Sequence, residues 1–362
     1  MSAVNQSTGK PKVALMMAAG TGGHVFPALA VARALQLEGF EIHWLGTPHG
    51  MEQNLVPQAG IELHAVNIKG LRGKGLIGLL VAPWRILQAT LQSLTVIKQI
   101  KADIVIGFGG YIAGPGGVAA RLAGLPLLIH EQNALAGMTN KLLNRLAKVS
   151  LQAFPGALEG AITVGNPVRD EVVDLPETPI PHQRPLNILV VGGSLGASAL
   201  NDAVLACWQQ MPLEQRPQLR HQVGKRDEQR MLEAYAATDV KADVSAFIDD
   251  MAAAYEWADL LICRSGALTV SEIAAAGKAS ILVPYPYAVD DHQTVNAAYL
   301  ADAGAALIRQ QKELTPEWLL ETVQQLNSDR QRLQAMATAS RQQAKADATA
   351  LAVEQIMRLT RD

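Results

Sequence analysis

A chain of 362 residues exceeds one ordinary domain, and its 49% hydrophobic content is enough to bury two cores. The formal net charge of −2 excludes a general electrostatic pull toward nucleic acid, so any anion must be held by local arrangements. Cys207 and Cys263 lie far apart with no CxxC pair, which argues for a reducing compartment and against a thiolate metal site.

The polar start, Met1 to Lys12, lacks the apolar core of a signal peptide and predicts retention in the cytoplasm. Lys12–Met17 then reads as a buried strand, Ala18–Gly23 as a glycine-rich turn and Pro27–Leu37 as a helix. Glu41–Leu45 reads as the next strand. The same order recurs at Asp103–Gly107 with Gly109, Gly110 and Gly114, then at the strand Leu125–His130. The uncharged run Ile104–Ala120 holds six glycines and a proline, and it falls short of the roughly 20 apolar residues of a spanning helix. A proline-rich connector, Gly165–Pro185, is followed by a third unit: strand Asn187–Val191, glycines 192, 193 and 196, and a helix from Ala197. Leu219–Val223, Ala258–Cys263 and Ala279–Val283 are further strands, and from Thr315 onward only helices are expected. Strands alternating with helices predict two α/β domains, each with a parallel sheet covered on both faces.

Glycine turns between a strand and a helix expose backbone N–H groups beside a helix N-terminus, a geometry suited to phosphate. The alternative is that such turns need glycine for positive φ alone. A dinucleotide-binding GxGxxG fails at Val25 and at Ile112, no acidic residue follows the Glu41–Leu45 strand, and no GxxxxGK is present. HExxH fails at Ala134, and no DxD triplet occurs to clamp a metal. Neither a metal site nor a cofactor is expected, and leaving-group charge falls to amides, helix dipoles and arginine.

The segments Gly20-Thr21-Gly22-Gly23-His24-Val25-Phe26-Pro27-Ala28-Leu29, Gly107-Phe108-Gly109-Gly110-Tyr111 and Gly192-Gly193-Ser194-Leu195-Gly196-Ala197 resemble the three glycine loops of the MurG family, the peptidoglycan N-acetylglucosaminyltransferases. His130-Glu131-Gln132-Asn133, Gly165-Asn166-Pro167-Val168-Arg169 and Arg264-Ser265-Gly266-Ala267-Leu268-Thr269-Val270-Ser271-Glu272 are similar to family segments as well. The resemblance runs in order along nearly the whole chain. It implies a GT-B fold, two Rossmann-like parallel-sheet domains facing across a cleft. Residues 1–168 would form the acceptor- and membrane-binding domain, residues 169–344 the donor domain, and residues 345–362 a helix returning to the first domain. The implied reaction is inverting transfer of N-acetylglucosamine from UDP-N-acetylglucosamine to the 4-hydroxyl of undecaprenyl-diphosphoryl-N-acetylmuramoyl-pentapeptide. The implied setting is the cytoplasmic face of the inner membrane, held peripherally, with other cell-wall enzymes as partners.

His24 stands at the expected start of a helix, whose field disfavours imidazolium and suits a neutral base. The resemblance puts it on the acceptor side, as the group that deprotonates the attacking hydroxyl; the alternative is a histidine that caps or orients its loop. The resemblance also places Glu131 and Tyr111 near the acceptor, with Gly20, Gly109 and Gly110 in the acceptor-diphosphate loops, although Glu131 can equally hold loop backbone. For the donor it implies Thr21, Gly22, Gly23, Asn133, Arg169, Ser194, Ile248, Ala267, Leu268, Thr269, Val270, Ser271, Glu272 and Gln293. Among these Arg169 and Ser194 meet the diphosphate, the Ile248 backbone meets uracil, Glu272 meets the ribose hydroxyls, and Gln293 and Asn133 meet the sugar. Thr269-Val270-Ser271-Glu272 also has capping-box spacing, a structural alternative for Glu272.

Leu71–Leu91 carries Leu76, Ile77, Leu79, Leu80 and Trp84 beside Arg72, Lys74 and Arg85, with Pro83 expected to interrupt it. Core packing explains such a run; the basic flanks and the tryptophan also suit a face dipping into anionic headgroups. Two rival functions remain open: a UDP-N-acetylglucosamine epimerase on the same scaffold, which has no use for that face, and a non-catalytic nucleotide-sugar-binding subunit.

Overall fold

The computed structural model describes residues 10–68, 75–193 and 196–361, with the side chains of 75–80 and 289 left aside. The chain divides into two compact units, one of residues 1–132, 136–167 and 347–362, the other of residues 133–135 and 168–346. The stretch 133–135 thus groups with the second unit.

In the first unit the elements run β1 (Val13–Ala18), α1 (Gly22–Leu37), β2 (Glu41–Gly46), α2 (Glu52–Gln58), β3 (Glu62–Ala65), α3 (Gly75–Ile100), β4 (Ile104–Gly109), α4 (Ala113–Leu122), β5 (Leu127–Glu131), α5 (Met138–Leu143), β6 (Val149–Gln152) and β7 (Ile162–Thr163). Their strands form one parallel sheet in the order β3-β2-β1-β4-β5-β6-β7. In the second unit come α6 (Asp170–Val173), β8 (Asn187–Val191), α7 (Ser198–Gln210), β9 (Gln218–Gln222), α8 (Glu228–Ala236), β10 (Asp243–Ser245), α9 (Met251–Trp257), β11 (Leu260–Cys263), α10 (Ala267–Ala276), β12 (Ala279–Leu282), α11 (His292–Ala301), β13 (Ala306–Ile308), α12 (Pro316–Ser328) and α13 (Arg330–Gln342). The second sheet is parallel too, in the order β10-β9-β8-β11-β12-β13. A last helix, α14 (Ala348–Leu359), belongs to the first unit.

Both orders step outward from the first strand in one direction and then in the other. The reversal lies between β1 and β4 in one unit and between β8 and β11 in the other, the places where open α/β sheets bind ligands at strand C-termini. Two-residue periodicity sorts each strand's side chains. Ala14, Met16 and Ala18 share one core with Ile42, Trp44, Ile104, Ile106 and the α14 residues Ala352, Val353 and Ile356. Leu15 and Met17 pack on the other face with Leu45, Val105, Ile129 and α3 residues Ala89 and Ile97. In the second unit Ile188, Val190, Leu260, Ile262 and Ile281 pack under Leu200, Val204 and Trp208 of α7 and Leu319, Val323 and Leu326 of α12.

Three local expectations need correction. Helix α1 starts at Gly22, not Pro27: the Thr21 carbonyl accepts from His24 N (3.1 Å) and Val25 N (3.3 Å). Pro27 sits inside it, and its missing N–H forgoes one bond near the start of the helix. Pro83 likewise fails to interrupt α3, whose later turns bury Ala89 and Ile97 in the core that holds Leu15, Val105 and Ile129. The Thr269–Glu272 capping box does not form. Helix α10 begins at Ala267 after Gly266, so Thr269 is already inside it and Glu272 projects from its second turn.

Candidate active site

The first unit gathers three loops at its reversal point. The N–H of Gly20, after β1, donates to Glu52 Oε2 (3.1 Å), and Glu52 Oε1 accepts from Thr47 N (2.9 Å) and Thr47 Oγ1 (2.7 Å). Glu52, fully buried, braces the first loop from below. Sequence reading missed it, because a lone glutamate in an unremarkable helix gives no signal. Thr21, Gly22 and Gly23 open α1, so the N–H groups of Gly22 and Gly23 precede its first intrahelical bond, which His24 N makes to the Thr21 carbonyl. His24 lies in that turn, with Nδ1 3.5 Å from Thr21 Oγ1.

The second loop, after β4, runs directly against the first. Gly110 has φ +79°, and a Cβ there would lie 2.5 Å from the Ala19 carbonyl oxygen; only glycine allows that approach. At Gly109 (φ +104°) a Cβ would lie 2.4 Å from His24 Cδ2, 2.8 Å from Nε2 and 3.7 Å from Gln132 Oε1. The missing side chain is therefore the space that the imidazole occupies. Tyr111 follows, exposed.

The third loop leaves β5. His130 Nε2 donates to the Gly165 carbonyl (2.9 Å), which fixes the tautomer and leaves Nδ1 to accept from Gln132 Nε2 (3.1 Å). Burial pushes the His130 pKa down to about 4, so the ring is neutral at physiological pH. Gln132 Nε2 also donates to the His130 carbonyl (2.9 Å), which turns Gln132 Oε1 toward Gly109 as a buried acceptor with no hydrogen-bond partner among the described residues. Glu131 is only 2% exposed, and its Oε2 accepts from Gly137 N (3.2 Å) and Asn140 Nδ2 (2.9 Å).

In the second unit the loop after β8 is laced by Gln222, which accepts from Gly193 N (3.1 Å) and donates to the carbonyls of Gly193 (3.1 Å) and Ala246 (2.7 Å). Ile248, half-buried, follows the exposed Phe247 beyond β10. Arg169, at the N-cap of α6, pairs through Nη2 with Glu272 Oε1 (3.0 Å), and Tyr255 O–H donates to Glu272 Oε2 (3.0 Å). Burial, reinforced by the Glu272 charge, holds the Tyr255 phenol well above its ordinary pKa, so it stays a donor. Ala267, Leu268, Thr269, Val270 and Ser271 make up the first turns of α10, and Ser271 Oγ bonds back to the Ala267 carbonyl (3.0 Å).

Gln293 Oε1 accepts from Tyr285 N (2.9 Å) just beyond Asp290 and Asp291, both left-handed at φ +54° and +51°. Asn296, fully buried, was not singled out by sequence. Its Oδ1 accepts from Ala134 N (2.8 Å), and its Nδ2 donates to Asn133 Oδ1 and the Ser265 carbonyl (3.3 Å each). This is why the Asn133 stretch groups with the second unit. Ser194, Arg72 and Lys74 lie outside the described residues, as do the side chains of Leu76, Ile77, Leu79 and Leu80.

His221, buried on β9, accepts from Tyr235 O–H at Nδ1 (2.7 Å) and donates from Nε2 to Asn201 (3.1 Å), and burial lowers its pKa to about 3. His130 and His221 are therefore neutral in the folded chain, whereas in the unfolded chain they titrate near 6.5. Below that pH only the unfolded chain takes up protons, so stability is complete above 6.5 and drains as pH falls toward 4. Between pH 7 and 5 each histidine should remove about 2 kcal/mol. Urea denaturation at the two pH values should show the loss, and His221→Gln should remove its share; a pH-independent midpoint would contradict this accounting.

The Glycosyltransferase family 28 N-terminal domain matches residues 14–151, and the corresponding C-terminal domain matches residues 187–352. A Chromohalobacter salexigens protein is 52% identical over 96% of this chain and 97% of its own length. An Aeromonas hydrophila protein is 52% identical over the same shares. Each is a UDP-N-acetylglucosamine--N-acetylmuramyl-(pentapeptide) pyrophosphoryl-undecaprenol N-acetylglucosamine transferase. The crystal structure of Acinetobacter baumannii MurG superposes with a TM-score of 0.83 at 47% identity, covering 96% of this chain and all of that one. With two Rossmann-like parallel sheets, glycine loops at both reversal points and likeness along nearly its full length, the chain belongs to the MurG family of family 28 glycosyltransferases, of GT-B fold.

Proposed function

We infer that the chain transfers N-acetylglucosamine from UDP-N-acetylglucosamine to the 4-hydroxyl of the muramyl residue in undecaprenyl-diphosphoryl-N-acetylmuramoyl-pentapeptide, with inversion at the anomeric carbon. The observation that carries this reading is the 52% identity to transferases of that specificity over 96% of the chain. His24 takes the proton of the acceptor hydroxyl as it attacks. The loops of Gly20 and of Gly109–Gly110 receive the acceptor diphosphate, and Tyr111 flanks it, while Thr21, Gly22 and Gly23 at the start of α1 contact the donor. Glu131, its carboxylate engaged by Gly137 and Asn140, positions the loop rather than moving a proton.

The donor is held mainly by the second unit. The amides around Gly193 and the start of α7 hold its diphosphate with Ser194 and Arg169, the Ile248 backbone holds the uracil, and Glu272 accepts from the ribose hydroxyls. Asn133 and Gln293 reach the sugar. The departing UDP is stabilised by these preorganised donors, an arrangement worth several kcal/mol in transfer reactions. The test is UDP release as a function of added lipid acceptor. Release that requires the acceptor supports transfer; acceptor-independent release or epimerisation of the donor would support the rival enzyme, and binding without turnover the non-catalytic reading.

The chain further works as a peripheral protein on the cytoplasmic membrane face. No helix among the described residues is long and apolar enough to span a bilayer. On α3, Trp84 (60% exposed), Leu87 and Leu91 lie three and four residues apart on one face beside Arg85. Each such side chain is worth roughly 1.5–3 kcal/mol when buried, and a nearby basic residue about 1 kcal/mol on anionic lipid. Liposome flotation with Trp84→Glu plus Leu87→Glu should show binding reduced at least tenfold. Undiminished flotation would remove α3 as the membrane face.

A further inference from the structure

The absence of CxxC, HExxH and DxD spacing predicts no metal site, yet the parallel register of β2 and β3 assembles ligands that no linear motif reveals. His43 stands opposite Glu62, and His64 is two residues further along the same strand, so all three side chains share one face of the sheet. His43 Nδ1 lies 3.1 Å from His64 Nε2 and 3.5 Å from Glu62 Oε2, and His64 Nε2 lies 3.9 Å from Glu62 Oε1. One donor atom from each residue falls within 4.8 Å of the other two.

We propose that His43 Nδ1, His64 Nε2 and the Glu62 carboxylate form a binding site for a late first-row divalent cation, Zn2+ foremost, with water completing the coordination. Bonds of about 2.0–2.2 Å in a tetrahedron place ligand atoms about 3.3 Å apart. The two imidazole nitrogens are already near that separation. Glu62, two-thirds exposed, has the freedom to turn its carboxylate inward over the remaining distance and leaves the ion a route in from solvent. The imidazole rings are held almost out of water, at 10% and 14% side-chain exposure.

A further contact supports the assignment. His43 Nε2 donates to Glu41 Oε1 at 3.0 Å, so its lone pair is on Nδ1, directed at the site. A metal-ligating histidine whose other N–H is held by a carboxylate is the usual support for a zinc ligand. Without a metal, His64 Nε2–H donates to His43 Nδ1. Binding moves that proton to His64 Nδ1 through solvent and frees the Nε2 lone pair, so no net proton is lost. Glu41 and Glu62 supply negative charge, and imidazole with carboxylate selects Zn2+ over Mg2+ or Ca2+. An ion here would pin the edge strand β3, which leads toward α3, to β2.

The test uses the full chain without an affinity tag, stripped by chelator and titrated with Zn2+ by calorimetry and with Co2+ by its visible d–d bands. One equivalent should bind, with the intense absorption of a four-coordinate site and a raised thermal midpoint. His64→Ala should weaken binding at least a hundredfold, and Glu41→Gln about tenfold with stoichiometry kept. Far-UV circular dichroism reports folding; should His64→Ala not fold, the exposed Glu62→Gln decides by a loss of at least tenfold. No uptake, or uptake unchanged in the folded variants, overturns the proposal and assigns any bound metal to other histidines.

Discussion

Replacing His24 by alanine should lower kcat by about 10²–10⁴, the usual contribution of a positioned general base, while the Kd for UDP-N-acetylglucosamine stays within about twofold. The separation of effects follows from placement: His24 belongs to the first turn of α1 in the first unit, whereas most of the proposed donor contacts, Arg169, Ile248, Glu272 and Gln293 among them, lie on the second. The ring fills the space left by the missing Gly109 side chain, so its position is enforced by packing against backbone. Gln132 Oε1, turned to the same place by His130, adds a fixed acceptor at its border. His24→Gln preserves most of the bulk and one hydrogen-bonding end, and it should lose nearly as much rate. A rapid His24→Gln variant would mean that this residue only orients the loop, and unchanged turnover in His24→Ala would remove the base assignment altogether.

Glu272→Ala should raise the donor Kd by roughly 10–100-fold, the worth of about 1.5–3 kcal/mol for hydrogen bonds to a charged acceptor. The change also strips Tyr255 O–H of its acceptor in a fully buried position and leaves Arg169 without its carboxylate. A stability loss of about 1–3 kcal/mol should accompany it from the stranded phenol; Arg169, more than a third exposed, adds little beyond that. Glu272→Gln separates the two effects, since its carbonyl can still accept from Tyr255. It should recover most of the stability and little of the donor affinity. Equilibrium binding of UDP, measured beside urea denaturation, distinguishes them. Donor affinity unchanged in both variants would reduce Glu272 to a strut between α6, α9 and α10.

The central strands were legible because apolar runs ended by glycine at a sheet's reversal point leave few other readings. Asn187–Val191 emerges with the same bounds in sequence and structure, and β1 and β4 within two residues. The outer strands were not. Glu62–Ala65, Asp243–Ser245 and Ile162–Thr163 are short and mix polar with apolar residues, because an edge strand with exposed positions needs no continuous hydrophobic run. Proline misled twice, at Pro27 and Pro83, because tertiary anchoring outweighs one lost hydrogen bond. The capping-box reading of Glu272 failed through a shift of register: the helix begins before Thr269, and the carboxylate turns inward.

Among site residues, those in glycine loops drew notice through their neighbours. Glu52, Gln132 and Asn296 act across gaps of 32, 23 and 162 residues, which no local spacing encodes. The His43–Glu62–His64 cluster is hidden for the same reason, since parallel pairing alone sets those residues side by side.

The most direct check on the account is the structure of the product formed from UDP-N-acetylglucosamine and the lipid-linked muramyl acceptor, read by proton NMR. A single base acting in one displacement predicts N-acetylglucosamine joined to the muramyl 4-hydroxyl in β linkage, with the large H1–H2 coupling of a trans-diaxial pair. An α-linked product, or an epimerised UDP-sugar with the acceptor untouched, would contradict it.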